Sequence, residues 1–239
     1  MDGLRWIVGA VLPYVAGGVF LVGMIWRIRS WKKLPSPPMT LFPAPPTERA
    51  NLRNTIQEAL LFRSLFKGDR WLWVFAWGFH AVLALIFLGH LRVFTNVDRL
   101  LIALGMSAGS IRAMSAGAGG AAGVLILLAT ILLLVRRVAL PRVREITGAA
   151  DYLALLLVGA IIMTGNLMRF GTEHFDLTLT QQYFTDVATL GDASGAAALR
   201  NNVFIVHMGL AFLLVVCLPF SKLLHFGGIF FTHQLLRKQ

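Results

Sequence analysis

The chain has 239 residues, 57% of them hydrophobic and only 14% charged, with a mean hydropathy of +0.72. That charge content excludes an ordinary soluble globular domain, in which about 25% of residues are charged. The net charge of +11 does not point to nucleic acid, because the basic residues gather on alternate loops between apolar stretches.

Five apolar stretches, at about 4–26, 71–92, 115–135, 150–168 and 201–224, are each long enough to cross about 30 Å of hydrocarbon at about 1.5 Å per residue. They predict one all-α membrane domain over 1–239, with five transmembrane helices and no room for a soluble catalytic domain. The 27–70 loop, the 136–144 loop and the tail (Lys222, Arg237, Lys238) carry sixteen Lys and Arg residues, against six on the other side. The positive-inside rule then places the N-terminus outside and the C-terminus in the cytoplasm of a prokaryotic inner membrane. Four acids, Glu173, Asp176, Asp186 and Asp192, fall in the external 170–200 loop.

The first stretch opens with MDGLRW and shows no small-residue cleavage site before Arg27-Ile28-Arg29, so it reads as a retained helix rather than a signal peptide. The cytoplasmic loop that follows is Pro-rich from Pro35 to Pro46 and should run extended. Beyond it, Thr47 is a candidate cap, and Ile56, Leu60, Leu61 and Leu65 recur at helical spacing. They predict an amphipathic helix on the membrane surface, compatible with partner docking. The second stretch carries Trp71, Trp73, Phe75, Trp77 and Phe79 at its cytoplasmic end, as an interfacial belt would. The third opens with AGAGGAAG, whose Gly117, Gly119, Gly120 and Gly123 permit close helix approach. No histidine falls in the fourth stretch, and no inverted repeat is visible. Cys217, in the fifth, is the only cysteine, so any iron–sulfur cluster must belong to a partner.

Four histidines mark the candidate site: His80 and His90 in the second stretch, His207 and His225 in the fifth. Ionisable side chains at membrane depth are costly and are functional candidates by default. Two on each of two helices would supply the axial ligands of two six-coordinate haems b. Depth selects the pairing. The second helix runs outward and the fifth inward, so His90 meets His207 near the external end and His80 meets His225 near the cytoplasmic end. The fit is uneven, since ten helical residues rise about 15 Å and eighteen about 27 Å. Tilt and a bend near Pro219 must absorb the difference. Eighteen residues are also five full turns, which would put His207 and His225 on one helix face. Gly89, and Gly78 near His80, would let a porphyrin lie close. The competing readings are histidines satisfied between helices, a proton path, or a metal-transport site. The last would add carboxylates at membrane depth, and helices two to five have none away from their ends. His174 and His233 read as surface residues.

The spacing of these histidines resembles that of the gamma subunit of respiratory nitrate reductase. So do PFSKLLH (219–225), AGGAAGVLILL (118–128), and LLLVRR with the PRVR after it. The ending SKLLHFGGIFFTHQLLR is closer to a related branch, the membrane cytochrome b of dissimilatory sulfite-reduction and heterodisulfide-reductase-like complexes. The resemblance implies a di-haem cytochrome b with quinol, of the menaquinol type, oxidised near the external haem. It also implies electrons passed inward to a cytoplasmic iron–sulfur subunit resembling the heterodisulfide reductase catalytic subunit, with further membrane subunits and a periplasmic cytochrome as associated partners. Where the nitrate reductase family has a quinol-contacting lysine, this chain has Ile111 with Arg112 beside it. Gly89 and Arg112 are therefore the candidate quinone-site residues. Candidate partners for haem propionates are Arg136, Arg137 and Lys222 inside, and Arg92 and Arg200 outside. Lipid headgroup contact is the plain alternative for each. The competing functions are a nitrate reductase gamma subunit and a non-redox membrane anchor or transporter.

Overall fold

A computed structural model describes residues 3–33, 48–172, 174–225 and 227. The Pro-rich stretch Pro35–Pro46, the Thr47 cap, His233 and the basic tail residues Arg237 and Lys238 lie outside them. The described residues are helical throughout, without a strand. Five helices are long and apolar enough to cross a membrane: α1 (Gly3–Lys32), α4 (Arg70–Phe94), α6 (Ala108–Ala139), α8 (Ala149–Phe170) and α10 (Asn202–Cys217). The last continues as a 3-10 turn, Leu218–Phe220. Shorter helices fill the connections: α2 (Glu48–Leu61), α3 (Arg63–Gly68), α5 (Val97–Ala103), α7 (Pro141–Glu145) and α9 (Leu177–Ala188).

The helix starts are set by side chains that take up orphan backbone N–H groups. Asp69 accepts from Leu72 N, Ser107 from Ser110 N, Asp176 from Leu179 N and Asn201 from Phe204 N. In α1 a π-helical turn, Ile7–Val11, precedes Pro13, where an unbroken helix would suffer a missing N–H and a ring clash. The long helices leave large apolar side chains uncovered, among them Val22 at 70% and Phe87 at 67% exposure. Water would not tolerate so many, but lipid does.

Close backbone packing runs from α4 to α6, α6 to α8, α8 to α10 and α10 to α1. Among the described residues α4 and α10 share no comparable seam. Glycines of the AGAGGAAG run serve the α6–α8 seam: a Cβ on Gly119 would lie 2.8 Å from Arg169, and one on Gly123 2.5 Å from Asn166. Gly117 opens on empty space.

Several sequence expectations change. The fifth span ends at Phe220 rather than near 224. Pro219 stops the α-helix, Ser221 is extended (φ −105, ψ 166), and a 3-10 turn, Lys222–Leu224, leads into His225. His207 and His225 therefore do not share one helix face. The amphipathic segment after the Pro-rich stretch is likewise two pieces, α2 and α3, broken at Phe62, whose backbone is left-handed (φ 50, ψ 47).

The buried core is concentrated at one end of the bundle, where the segment after α8 folds back. The sequence predicts only a loop over 170–200, yet Leu177–Ala188 forms helix α9. Tyr183, fully buried, packs there with Val8, Met168, Leu199, Phe204 and Met208. Its hydroxyl donates to Gly9 O at 2.8 Å, and burial pushes its pKa upward, so it stays a donor. Tyr183→Phe would strand that carbonyl and should cost about 1–3 kcal/mol, read as a lowered Tm of the detergent-solubilised protein. Tyr14→Phe, at an exposed hydroxyl bonded to Val187 O, should change it little.

Candidate functional site

Because α4 and α10 do not close on each other, the side chains between them decide what the gap holds. Histidines bridge it at two levels. The rings of His90 and His207 have centroids 6.5 Å apart and planes 15° from parallel. Those of His80 and His225 are 5.8 Å apart and nearly perpendicular, at 89°. The break after Pro219 brings His225 to the level of His80.

Each ring is oriented by its Nδ1. His80 Nδ1 donates to Ala76 O and His90 Nδ1 to Ile86 O, both at 2.7 Å. His207 Nδ1 lies 3.1 Å from Ile161 O and 2.9 Å from Thr164 Oγ1, and His225 Nδ1 3.0 Å from Lys222 O. A carbonyl only accepts, so Nδ1 carries a proton in all four, and in the neutral ring that leaves the lone pair on Nε2. That is how proteins fix the tautomer of a metal-ligating histidine. A metal–imidazole bond is about 2 Å, so two such bonds in line, with the ring radii, separate axial imidazole centroids by about 6 Å. Both pairs match. Among the described residues no group of three or more His, Cys, Asp or Glu could hold a bare metal ion. Two-ligand sites suit a metal whose other positions are filled by a macrocycle. A Cβ on Gly89, beside His90, would meet nothing within 4 Å, and the same holds at Gly78.

Packing brackets the two levels at the bundle ends, while His90 and His225 stay exposed. At the His90/His207 end, α9 crosses α4: Gln181 Nε2 donates to Arg92 O at 2.6 Å, and Phe184 packs on Phe94 at 4.7 Å. At the other end, the Trp73 and Trp77 indoles donate to Leu61 O (2.7 Å) and Leu60 O (2.9 Å), holding the end of α2 against α4. This clamp sets the left-handed Phe62, whose ring stands edge-on to His80 at 5.1 Å.

The remaining candidates are placed as follows. Arg112 lies exposed in the first turn of α6, whereas the neighbouring Ile111 is buried at 2% exposure and presents nothing to the surface. Arg92 is taken by Asp98 through two bonds of 2.7 and 2.8 Å, and its guanidinium holds the Asp98 carboxyl below the usual range. Lys222 pairs with Asp151 at 3.0 Å. Neither cation is an uncommitted partner for a propionate. His174 is exposed and outside both pairs.

Sequence reasoning missed the support for His207 on α8. Thr164 contacts its Nδ1, and Gly165 lets its ring approach, a Cβ there lying 3.5 Å from His207 Cε1. A Thr-Gly step in a histidine-free helix was the available signal. Asp98 and Asp151 were missed as the groups that engage two basic candidates.

Five apolar spans, with one imidazole pair between the second and fifth and another between the second and the turn that follows the fifth, define the class: a multi-pass α-helical membrane protein with paired histidines. Residues 63–238 match the family described as the nitrate reductase gamma subunit, and the chain belongs to that family. It is 30% identical, over 95% of its own length and 78% of the relative's, to an Hdr-like menaquinol oxidoreductase cytochrome b-like subunit of Archaeoglobus fulgidus. A protein of the same description from Archaeoglobus profundus is 28% identical over 92% of this chain and 76% of the relative. The respiratory nitrate reductase 1 gamma chain of Escherichia coli K12 is 33% identical over 48% of this chain and 54% of its own.

Proposed function

We propose that this protein is a di-haem cytochrome b subunit carrying electrons between the quinone pool and a cytoplasmic iron–sulfur subunit. One observation carries the reading: two cross-helix imidazole pairs, each at axial-ligand spacing and each with Nδ1 committed to an acceptor. His80 and His225 would hold one haem, His90 and His207 the other. Haem, when bound, supplies an iron that takes up and gives out one electron. The chain supplies the rest. Backbone carbonyls and Thr164 set the ring planes, Gly89 leaves room beside His90, and the α9 crossing and the tryptophan clamp brace the bundle ends.

The charge asymmetry supports an outside N-terminus, which puts His90/His207 at the external face and His80/His225 beside the cytoplasm. Quinol is then bound near Gly89 and His90, with Arg112 on the exposed start of α6 as its polar contact. The names of the two Archaeoglobus relatives, which span nearly the whole chain, support menaquinol as the quinol and an Hdr-like complex as the setting, and we place the iron–sulfur subunit there as its partner. The shorter match to the respiratory nitrate reductase gamma chain is consistent with the same role as a respiratory membrane subunit.

Haem counting tests the proposal. The purified protein, expressed with ample haem supply, should contain two b-type haems per chain with low-spin, bis-imidazole spectra. A colourless preparation would return the chain to the anchor or transporter reading.

A further inference from the structure

Arg27 lies near the C-terminal end of α1, just past its apolar stretch, and its Nε is buried with no hydrogen-bond partner. A buried donor on a charged group left without an acceptor is costly. Among the described residues the ion pairs are Arg92–Asp98 and Lys222–Asp151, so no described carboxylate answers it. A guanidinium near a helix end can escape by reaching out to the headgroups, but this one is turned onto its own helix, 5.6 Å from the Trp31 ring centroid.

Its place on α1 is bracketed from both sides. Gly23, Arg27 and Trp31 are four residues apart in turn and share one face. At one end of that face, a Cβ on Gly23 would lie 2.8 Å from Pro219 Cβ. At the other, a Cβ on Gly227 would lie 3.6 Å from the Trp31 ring. Arg27 thus sits midway along the segment 219–227, which carries His225. Of the cations first considered for this end, Lys222 is already committed to Asp151.

We infer that Arg27 receives an oxyanion beside the His225 segment, and that this oxyanion is a propionate of the haem held by His80 and His225. The inference rests on the di-haem reading above. A guanidinium fork matches a carboxylate with two parallel bonds, and its charge favours the reduced state of the nearby iron.

The test is spectroelectrochemical titration of the purified wild type, Arg27→Gln and Arg27→Lys in nanodiscs. The haem of this pair is identified as the one missing from His225→Ala. In Arg27→Gln the reduced-to-oxidised ratio of that haem at fixed ambient potential should fall about threefold to tenfold, tenfold being about 59 mV for a one-electron couple. The His90/His207 haem should not move. Arg27→Lys, which keeps the charge but not the fork, should shift the same haem less and in the same direction, and it serves should the glutamine variant not accumulate. A lipid phosphate is the other source of an oxyanion, so the titration is repeated on delipidated protein in a phosphate-free maltoside detergent. The propionate assignment requires the arginine effect to persist there, and its disappearance would overturn it. An unmoved potential, or an equal shift of both haems, overturns the inference while the haem reading stands. A wild type without haem removes both.

Discussion

His90→Ala and His207→Ala should each abolish the same one of two b-type haem signals, and His80→Ala and His225→Ala should each abolish the other. The expectation follows from the two facing pairs, with centroids 6.5 and 5.8 Å apart. Loss of a residue that merely orients a ligand costs about 10–100-fold in metal affinity, so loss of the axial ligand itself should cost more. Occupancy at the affected level should fall to a small fraction, with any residual haem turning high-spin. The other level should keep its low-spin spectrum, because its rings are held by their own carbonyls, Ala76 and Lys222 at one end, Ile86 and Ile161 at the other. His174→Ala, at an exposed residue outside both pairs, is the control and should leave both spectra intact. Four variants that sort in any other pattern would break the pairing. Four with unchanged colour would break the ligand assignment altogether.

The parts of the fold that hydropathy controls were legible. Apolar length gave five spans to within a few residues at most ends, because a helix in lipid must satisfy its backbone internally and needs only length and apolarity. Histidine depth gave the two juxtapositions, because antiparallel spans leave one arrangement of levels. What escaped were features set by contacts between distant residues. Helix α9 carries Thr178, Thr180, Gln181, Gln182 and Thr185, so its hydropathy reads as loop. It folds because Asp176 caps it and Tyr183 and Phe184 bury against α1, α4 and α10. The same holds for Thr164. Its hydroxyl bonds its own helix at Ala160 O and Ile161 O, as an ordinary mid-helix threonine does, and its contact with His207 exists only once α8 and α10 pack. A bend near Pro219 is legible in the sequence. Its actual form, an extended residue between two 3-10 turns, depends on Ser221 Oγ accepting from Leu223 N, which composition does not announce.

That hinge yields the second large effect. Gly23→Val should strip the chain of the His80/His225 haem while leaving the His90/His207 haem in place. A Cβ at Gly23 would stand 2.8 Å from Pro219 Cβ and 3.0 Å from Phe220 Cζ. A proline ring is fixed to its backbone and cannot swing aside as the tip of a leucine can. Relief must come from moving the Leu218–Phe220 turn away from α1, and with it Ser221 and the Lys222–Leu224 turn that positions His225. Overpacking of this kind costs about 1–3 kcal/mol. Imposed on the ligand-bearing segment, that weakens the local site about fivefold to a hundredfold, since about 1.4 kcal/mol is a factor of ten. The other pair is insulated, because His207 sits in the regular part of α10, against Thr164 and Gly165 of α8. Gly18→Val supplies the contrast on the same helix, as its added Cβ meets nothing within 4 Å. Haem counts of about one for Gly23→Val and two for Gly18→Val, with the surviving spectrum matching that of His225→Ala, would tie the His225 site to the contact between span one and the proline hinge. Equal loss of both haems in Gly23→Val would mean that the two levels are not held independently.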